Sequence, residues 1–561
     1  MVEEALPTSE PLNPETNPEM AAAPRDTRES LVRHAAVMTV GTTLSRLTGF
    51  LRLTAMTATL GVTVSSLGSI YTVANLTPNI VYELILGGIL TSVFVPVFVD
   101  RLETRGPEDA REVVDRVMTL VLVLLIAVAA LFAIFAEQII RVYLVASDRP
   151  DRRAEIELGV VFLRWFMPQI VFYGAGAVAI GLLQAHRRFA PPMFAPILNN
   201  LVVIGTFVAY AIVRGDRDPR VVGITTAEEI VLGAGTTLGV VVMTVALWPS
   251  LRSLGYRIRL RLGWRHEAVR RLVRLAGWVG LYVAANQLAY VVVIILNNRF
   301  AAGPQIYTTA FTVFQLPHAI FAVSIFTALL PGMSQRWATG DPAGVRAFAS
   351  RGLRDTAVIA LPAALGLIAL AEPIVRLLFE HGAARPRDTV AIAATLQGFA
   401  AGLVFFSAFQ LLTRTFYAMQ DTRTPALVNV GAACVNVAAA LLYIGPLDLG
   451  LRGMALAHAT SYLVGATLLF VLLRGRLGPL EERAIGRTVG RAAVAALLSA
   501  AAALAVVAVW RISGDAVVVV QAVRVVAAIV AGMLVFVGSA LILRLGEVDD
   551  LRRAFLRRFR G

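Results

Sequence analysis

The chain has 561 residues, 57% of them hydrophobic and 16% charged, with a formal net charge of +14. A soluble globular chain is about 45–50% apolar. This composition therefore excludes an ordinary soluble enzyme, and the recurrence of apolar runs of about 18 residues or more predicts an all-α polytopic membrane protein. The basic charge is all arginine and sits mostly in short loops between apolar runs, which marks a topology signal and not a nucleic-acid surface.

Residues 1–30 are rich in Pro and Glu and lack an apolar core, so they read as a disordered tail. They have no basic n-region or h-region and are not a signal peptide. Fourteen apolar segments follow, at 35–60, 66–99, 115–136, 157–184, 194–214, 227–248, 273–299, 305–335, 355–379, 389–417, 425–445, 451–474, 488–511 and 517–545. The loops alternate. One set is arginine-rich, as at Arg101–Arg116, Arg187–Arg188, Arg252–Arg274, Arg336–Arg354, Arg474–Arg491 and Arg552–Arg560. The other is neutral or mixed, as in "GVTVSSLGS" and "GPLDLGLRG"; the loop 137–157, with four Arg and five acids, fits the alternation least well. The positive-inside rule places the first set, and with an even number of spans both termini, in the cytoplasm.

The stretch 166–192, "FMPQIVFYGAGAVAIGLLQAHRRFAPP", aligns with 399–425, "FAAGLVFFSAFQLLTRTFYAMQDTRTP", and Pro96 aligns with Pro331. These offsets indicate a duplication of six spans in the same orientation. Two such parallel lobes around a central cavity suit alternating access. The expected division is a tail at 1–30, an N-terminal lobe at 31–265, a C-terminal lobe at 266–480, two extra helices at 481–548 and a basic tail at 549–561.

The first apolar segment carries Arg46 and Arg52. On insertion scales each costs about 2.5–3.5 kcal/mol at the bilayer centre. Six positions separate them, about 240° and roughly 9 Å along a helix. They could therefore grip an extended anion from different angles, and guanidinium suits phosphate. The competing reading is an internal ion pair with Glu83. Other polar residues in apolar segments include Asn75, Asn79, Asn199, Asn200, Asn286, Gln315, Gln410, Asn429 and Asn436, most of them expected to hydrogen-bond between helices. The single cysteine, Cys434, reads as a small buried apolar residue. No Walker A loop or H-x-x-x-H pair is present, so neither ATP hydrolysis nor zinc chemistry is expected.

Six motifs in order span most of the chain: "SRLTGFLR", "NLTPNIVYELILGGILTSVFVPVF", "RRFAPPMFAPILNN", "QLPHAIFAVSIFTALLPGMSQ", "LLFEHGA" and "FYAMQDTRTP". Together they resemble the MurJ/MviN family of lipid II flippases, within the multidrug/oligosaccharidyl-lipid/polysaccharide exporter superfamily. The resemblance implies export of the undecaprenyl-pyrophosphate-linked disaccharide-pentapeptide across the cytoplasmic membrane. By resemblance Arg46 and Arg52 match the family's functional arginines, with Ser45 as a polar neighbour. Asn79, Glu83 and Gln315 complete the expected substrate set. The chain departs from the family pattern at Leu53 and Ser69, where acids are common, and at Tyr82 and Thr312, where basic residues are. The implied cavity has fewer charges, and Arg299 is a candidate replacement cation. Alternatives are a flippase for another polyprenyl-linked oligosaccharide, or a non-transporting cell-wall scaffold. No cofactor is expected. A sodium site would draw on Asn286, Asn429, Asn436 and Thr460, whereas membrane potential acting on the bound anion needs no site. Expected partners are lipid II or a related glycolipid, membrane lipids and cell-wall synthesis and division proteins.

Overall fold

The computed structural model describes residues 25–86, 95–186, 188–256, 283–284, 286–319, 323–510 and 518–547, with 259 and 261. The basic tail at 549–561 lies outside the described residues. The expected disordered tail does so only to residue 24, because helix already begins at Arg25.

The N-terminal half forms α1 (Arg25–Leu60), α2 (Leu67–Leu86), α3 (Val95–Ile134), α4 (Ala136–Tyr143), α5 (Arg152–Phe166), α6 (Gln169–Ala185), α7 (Ala190–Arg214), α8 (Thr226–Val245) and α9 (Trp248–Ser253). The rest forms α10 (Asn286–Asn297), then α11 (Gly303–Pro317), α12 (Val323–Ala338), α13 (Pro342–Phe379), α14 (Pro386–Ala400), α15 (Leu403–Ala418), α16 (Arg423–Ile444), α17 (Gly450–Leu477), α18 (Glu482–Val509) and α19 (Val518–Ile542). Helix occupies part of every apolar segment expected from the sequence. Among the described residues, nine helical stretches are long and apolar enough to cross a membrane, or ten if α14 and α15, bent by 45°, count as one. The helices α1 and α2, which hold the arginines, asparagines and Glu83, are not among the nine.

All-helical structure follows from the solvent. Lipid offers no hydrogen bonds, so each spanning segment must satisfy its backbone internally. Lipid also leaves apolar side chains content outside: Ile212 is 76% exposed and Ile542 82%. The same logic corrects the expectation for Cys434, which is exposed on α16 and not buried. Lipid is as apolar as a core, so an apolar run does not say which of its faces is inside.

Two bundles result. In the first, α1 packs on α7, α7 on α8, α3 on α6 and α2 on α5. Its core centres on Tyr71, whose ring meets Phe162, Phe166 and Phe207 edge-on. In the second, α17 packs against α14, α15 and α16, while α13 packs against α12, α14 and α15. The pair α18–α19 lies on α13. Small residues allow close approach: a Cβ on Gly402, at the α14–α15 break, would sit 2.6 Å from Ala459. The break at 167–168 between α5 and α6 and the break at 401–402 between α14 and α15 occupy matching places. The four helix boundaries around them are displaced by 233 or 234 residues, the offset of the sequence repeat.

Candidate substrate cavity between the bundles

The bundles are tied together at the end that carries the neutral and mixed loops. After α1 the chain turns at Gly61, and the Thr63 N–H donates to Asp388 Oδ1 at 3.1 Å, with the Thr63 hydroxyl on the same oxygen. Arg387 donates to the Thr63 carbonyl at 3.0 Å, and the Ala383 N–H to the Ala58 carbonyl at 2.8 Å. Gln305 Nε2 reaches the Gly61 carbonyl at 2.8 Å. Gly382 at φ +62° permits the Ala58 contact, since a Cβ there would lie 2.4 Å from that carbonyl. A buried pair, Arg149–Glu155 at 2.8 Å, adds a bond from Arg149 to the Asn298 carbonyl at 3.0 Å.

Between the bundles α1, α2, α6, α7, α8 and α11 enclose a cavity of about 310 Å³. Arg52 is its only charged lining residue among those described. Tyr71 and Tyr173 line the same cavity. Asn79 lines the same wall and donates to the Asn75 carbonyl at 2.9 Å. The oxygens of Gln169 and Asn199 are buried without a partner among the described residues. Unpaired amide oxygens accept from hydroxyls, and a lone guanidinium takes an anion. The cavity therefore suits a phosphate joined to a polyhydroxyl group.

The other expected site residues separate. Arg46 is exposed on α1 and does not line this cavity. The Ser45 carbonyl accepts from Asn200 Nδ2 at 3.1 Å, and the same amide reaches Thr48 at 3.0 Å, so this stretch braces α1 on α7. Gln315 and Glu83 are exposed and outside the cavity lining. Among the described residues no ion pair joins Glu83 to Arg46 or Arg52, so the internal-pair reading of the arginines is not realised. Thr312 does line the cavity, with its hydroxyl donating to the Thr308 carbonyl at 2.8 Å. Arg299 lies exposed in the turn before α11, away from the cavity lining, and replaces nothing there. Asn286 and Asn429 meet at 2.6 Å, whereas Thr460 is occupied by Tyr443 at 3.0 Å. Asn436 lies on α16 outside the cavity that holds that amide pair.

Sequence reasoning passed over Arg414. It lines a second cavity of about 400 Å³ inside the C-terminal bundle with Asn286, Gln410, Thr413 and Asn429. The signal was present, an arginine within the apolar run 389–417, but its place near the end of that run reads as a loop charge.

A model of the family described as lipid II flippase MurJ matches residues 56–524. The chain is 30% identical over 486 residues to a probable lipid II flippase MurJ of Rhizobium meliloti (strain 1021), covering 84% of this chain and 86% of that one. It is 28% identical over 448 residues to the lipid II flippase MurJ of Burkholderia cenocepacia, covering 79% and 84%. Among solved structures, a lipid II flippase MurJ in an inward closed conformation superposes with TM-score 0.72 at 19% identity, covering 92% of this chain and 99% of that chain. An inward-facing multidrug resistance MATE family transporter of the MOP superfamily gives 0.63 at 16% identity, covering 77% and 95%. At such identities these two likenesses concern the fold.

Proposed function

Since this chain belongs to the lipid II flippase MurJ family, we propose that it carries lipid II from the inner to the outer leaflet by alternating access, with Arg52 holding the pyrophosphate. It is a transporter and not an enzyme. The observation that carries the residue assignment is Arg52 itself: a guanidinium without an ion-pair partner among the described residues, in a cavity whose other polar groups suit a sugar. A permanent cation kept between spanning helices without a counter-ion is costly unless a ligand supplies the negative charge.

Arginine-rich loops on the cytoplasmic side put both termini there. The Thr63–Asp388 ties then close the outer side, and the cavity is poised to load from the inner leaflet. Asn286 and Asn429 share their cavity with Arg414, whose charge repels sodium, so we favour membrane potential as the drive. Moving negative charge outward is assisted by about 2.3 kcal/mol per charge per 100 mV.

The deciding experiment depletes the protein from cells and adds an outer-face enzyme that cleaves lipid II. Lipid II should accumulate in a protected pool. If it stays accessible while another polyprenyl-linked glycan builds up inside, the cargo reading fails. If Arg52→Gln restores growth as well as the unmodified chain does, the residue reading fails and a scaffold role gains.

A further inference from the structure

The central cavity is small for its cargo. Its volume, about 310 Å³, is less than a disaccharide-pentapeptide occupies, which leaves part of the head group to rest elsewhere in this state. The C-terminal bundle offers the room. Arg414 is half-buried on α15, with its guanidinium 5.2 Å from the centre of the Phe326 ring. A snorkelling arginine keeps its head in water; this one is held on an aromatic face. No carboxylate pairs with it among the described residues, and Asp421, the acid next along the chain, is taken by Arg476 at 2.5 Å. The ring covers one face of the guanidinium and leaves its N–H edge for a ligand.

The neighbours add direction. The Thr413 hydroxyl is buried without a partner among the described residues. Gln410 and the Asn286–Asn429 pair supply amides that both donate and accept. With the pyrophosphate assigned to Arg52, the anions left on the head group are its peptide carboxylates, which a free guanidinium edge takes two-pronged.

Resting on the lipid II reading above, we propose that this cavity is a second anion subsite in which Arg414 receives a carboxylate of the head group's peptide while Arg52 receives the pyrophosphate. The subsite then selects for the peptide while Arg52 holds the pyrophosphate.

The test measures binding to the purified full-length protein of lipid II and of the same lipid with its peptide carboxylates amidated. Arg414→Gln should weaken lipid II by about tenfold or more and leave the amidated lipid unchanged. Arg52→Gln should weaken both. Arg414→Lys, which keeps the charge and the bulk but loses the two-pronged geometry, should lose a smaller factor for lipid II alone. Equal loss of both lipids in Arg414→Gln and Arg414→Lys, or no loss in either, overturns the subsite. If the unmodified chain binds neither lipid, the flippase reading falls and the subsite with it.

Discussion

Arg52 and Arg46 share a helix and a charge but not an environment. Arg52 faces a cavity of uncharged polar groups; Arg46 is exposed and outside that lining. Their substitutions should therefore separate. Arg52→Gln removes a half-buried cation that has no ion-pair partner among the described residues, so the folded protein loses little: its melting temperature in detergent should hold or rise while lipid II export falls at least tenfold. Arg52→Lys keeps the charge but not the paired donors, and should fall between. Arg46→Ala should reduce export less than Arg52→Gln. An equal loss would place Arg46 on the ligand as well. The sequence made Arg52 and Asn79 visible because a polar residue inside an apolar run needs a reason. It could not separate them from Glu83 and Gln315, which satisfy the same rule yet face elsewhere, because hydropathy carries no angular information about neighbouring helices.

At the scale of elements, ties between helix ends join the two bundles. Asp388 is 1% exposed and receives both the N–H and the hydroxyl of Thr63 across the bundle boundary. A hydrogen bond to a charged group contributes about 1.5–3 kcal/mol, enough to move a two-state population about tenfold. Asp388→Ala should thus favour opening at that end. In a Cys434→Ala background, a cysteine placed at Thr63 should react faster with an impermeant thiol reagent once Asp388 is lost. An unchanged rate would mean the tie does not hold the gate. The C-terminal pair is fastened differently. Arg354 on α13 binds Glu481 at 2.8 Å and Glu547 at 3.1 Å, and Ser350 donates to Glu481 at 2.9 Å. The Arg354 and Ser350 hydrogen bonds hold the Glu481 carboxyl below its ordinary range. A depressed carboxyl contributes stability above its unfolded pKa, about 4.3, and loses it as the pH falls through the folded value. Arg354→Ala should lower the melting temperature at pH 7 by a few degrees, and the difference from the unmodified chain should vanish in acid. A difference that persisted there would assign the effect to packing.

Over the whole molecule, a duplicated chain builds two bundles, each with a broken helix at the matching offset. The described state ties them at one end. If the bound pyrophosphate supplies the charge that moves, export in vesicles should speed up as the interior becomes more negative, and collapsing the potential should slow it even with sodium present. Sodium dependence without potential dependence would favour a cation site and count against the repulsion argued from Arg414.

The sequence by itself determined the solvent, the helical class, the order and alternation of the loops, the offset repeat and the presence of two arginines, Arg46 and Arg52, within the first apolar segment. Each is a one-dimensional property: the bilayer's thickness sets run length, and the cost of burying charge singles out residues. Only the tertiary structure decided which polar side chains share a cavity, that Thr312 stands in that cavity as a neutral wall, that Arg299 and Glu83 stand apart from it, that Cys434 faces outward, and that Arg414 sits with Asn286 and Asn429. The physical reason is that lipid and protein interior are equally apolar. Hydropathy reports that a segment is in the membrane, and only packing between helices sets which of its faces meets lipid, a neighbour or the cargo.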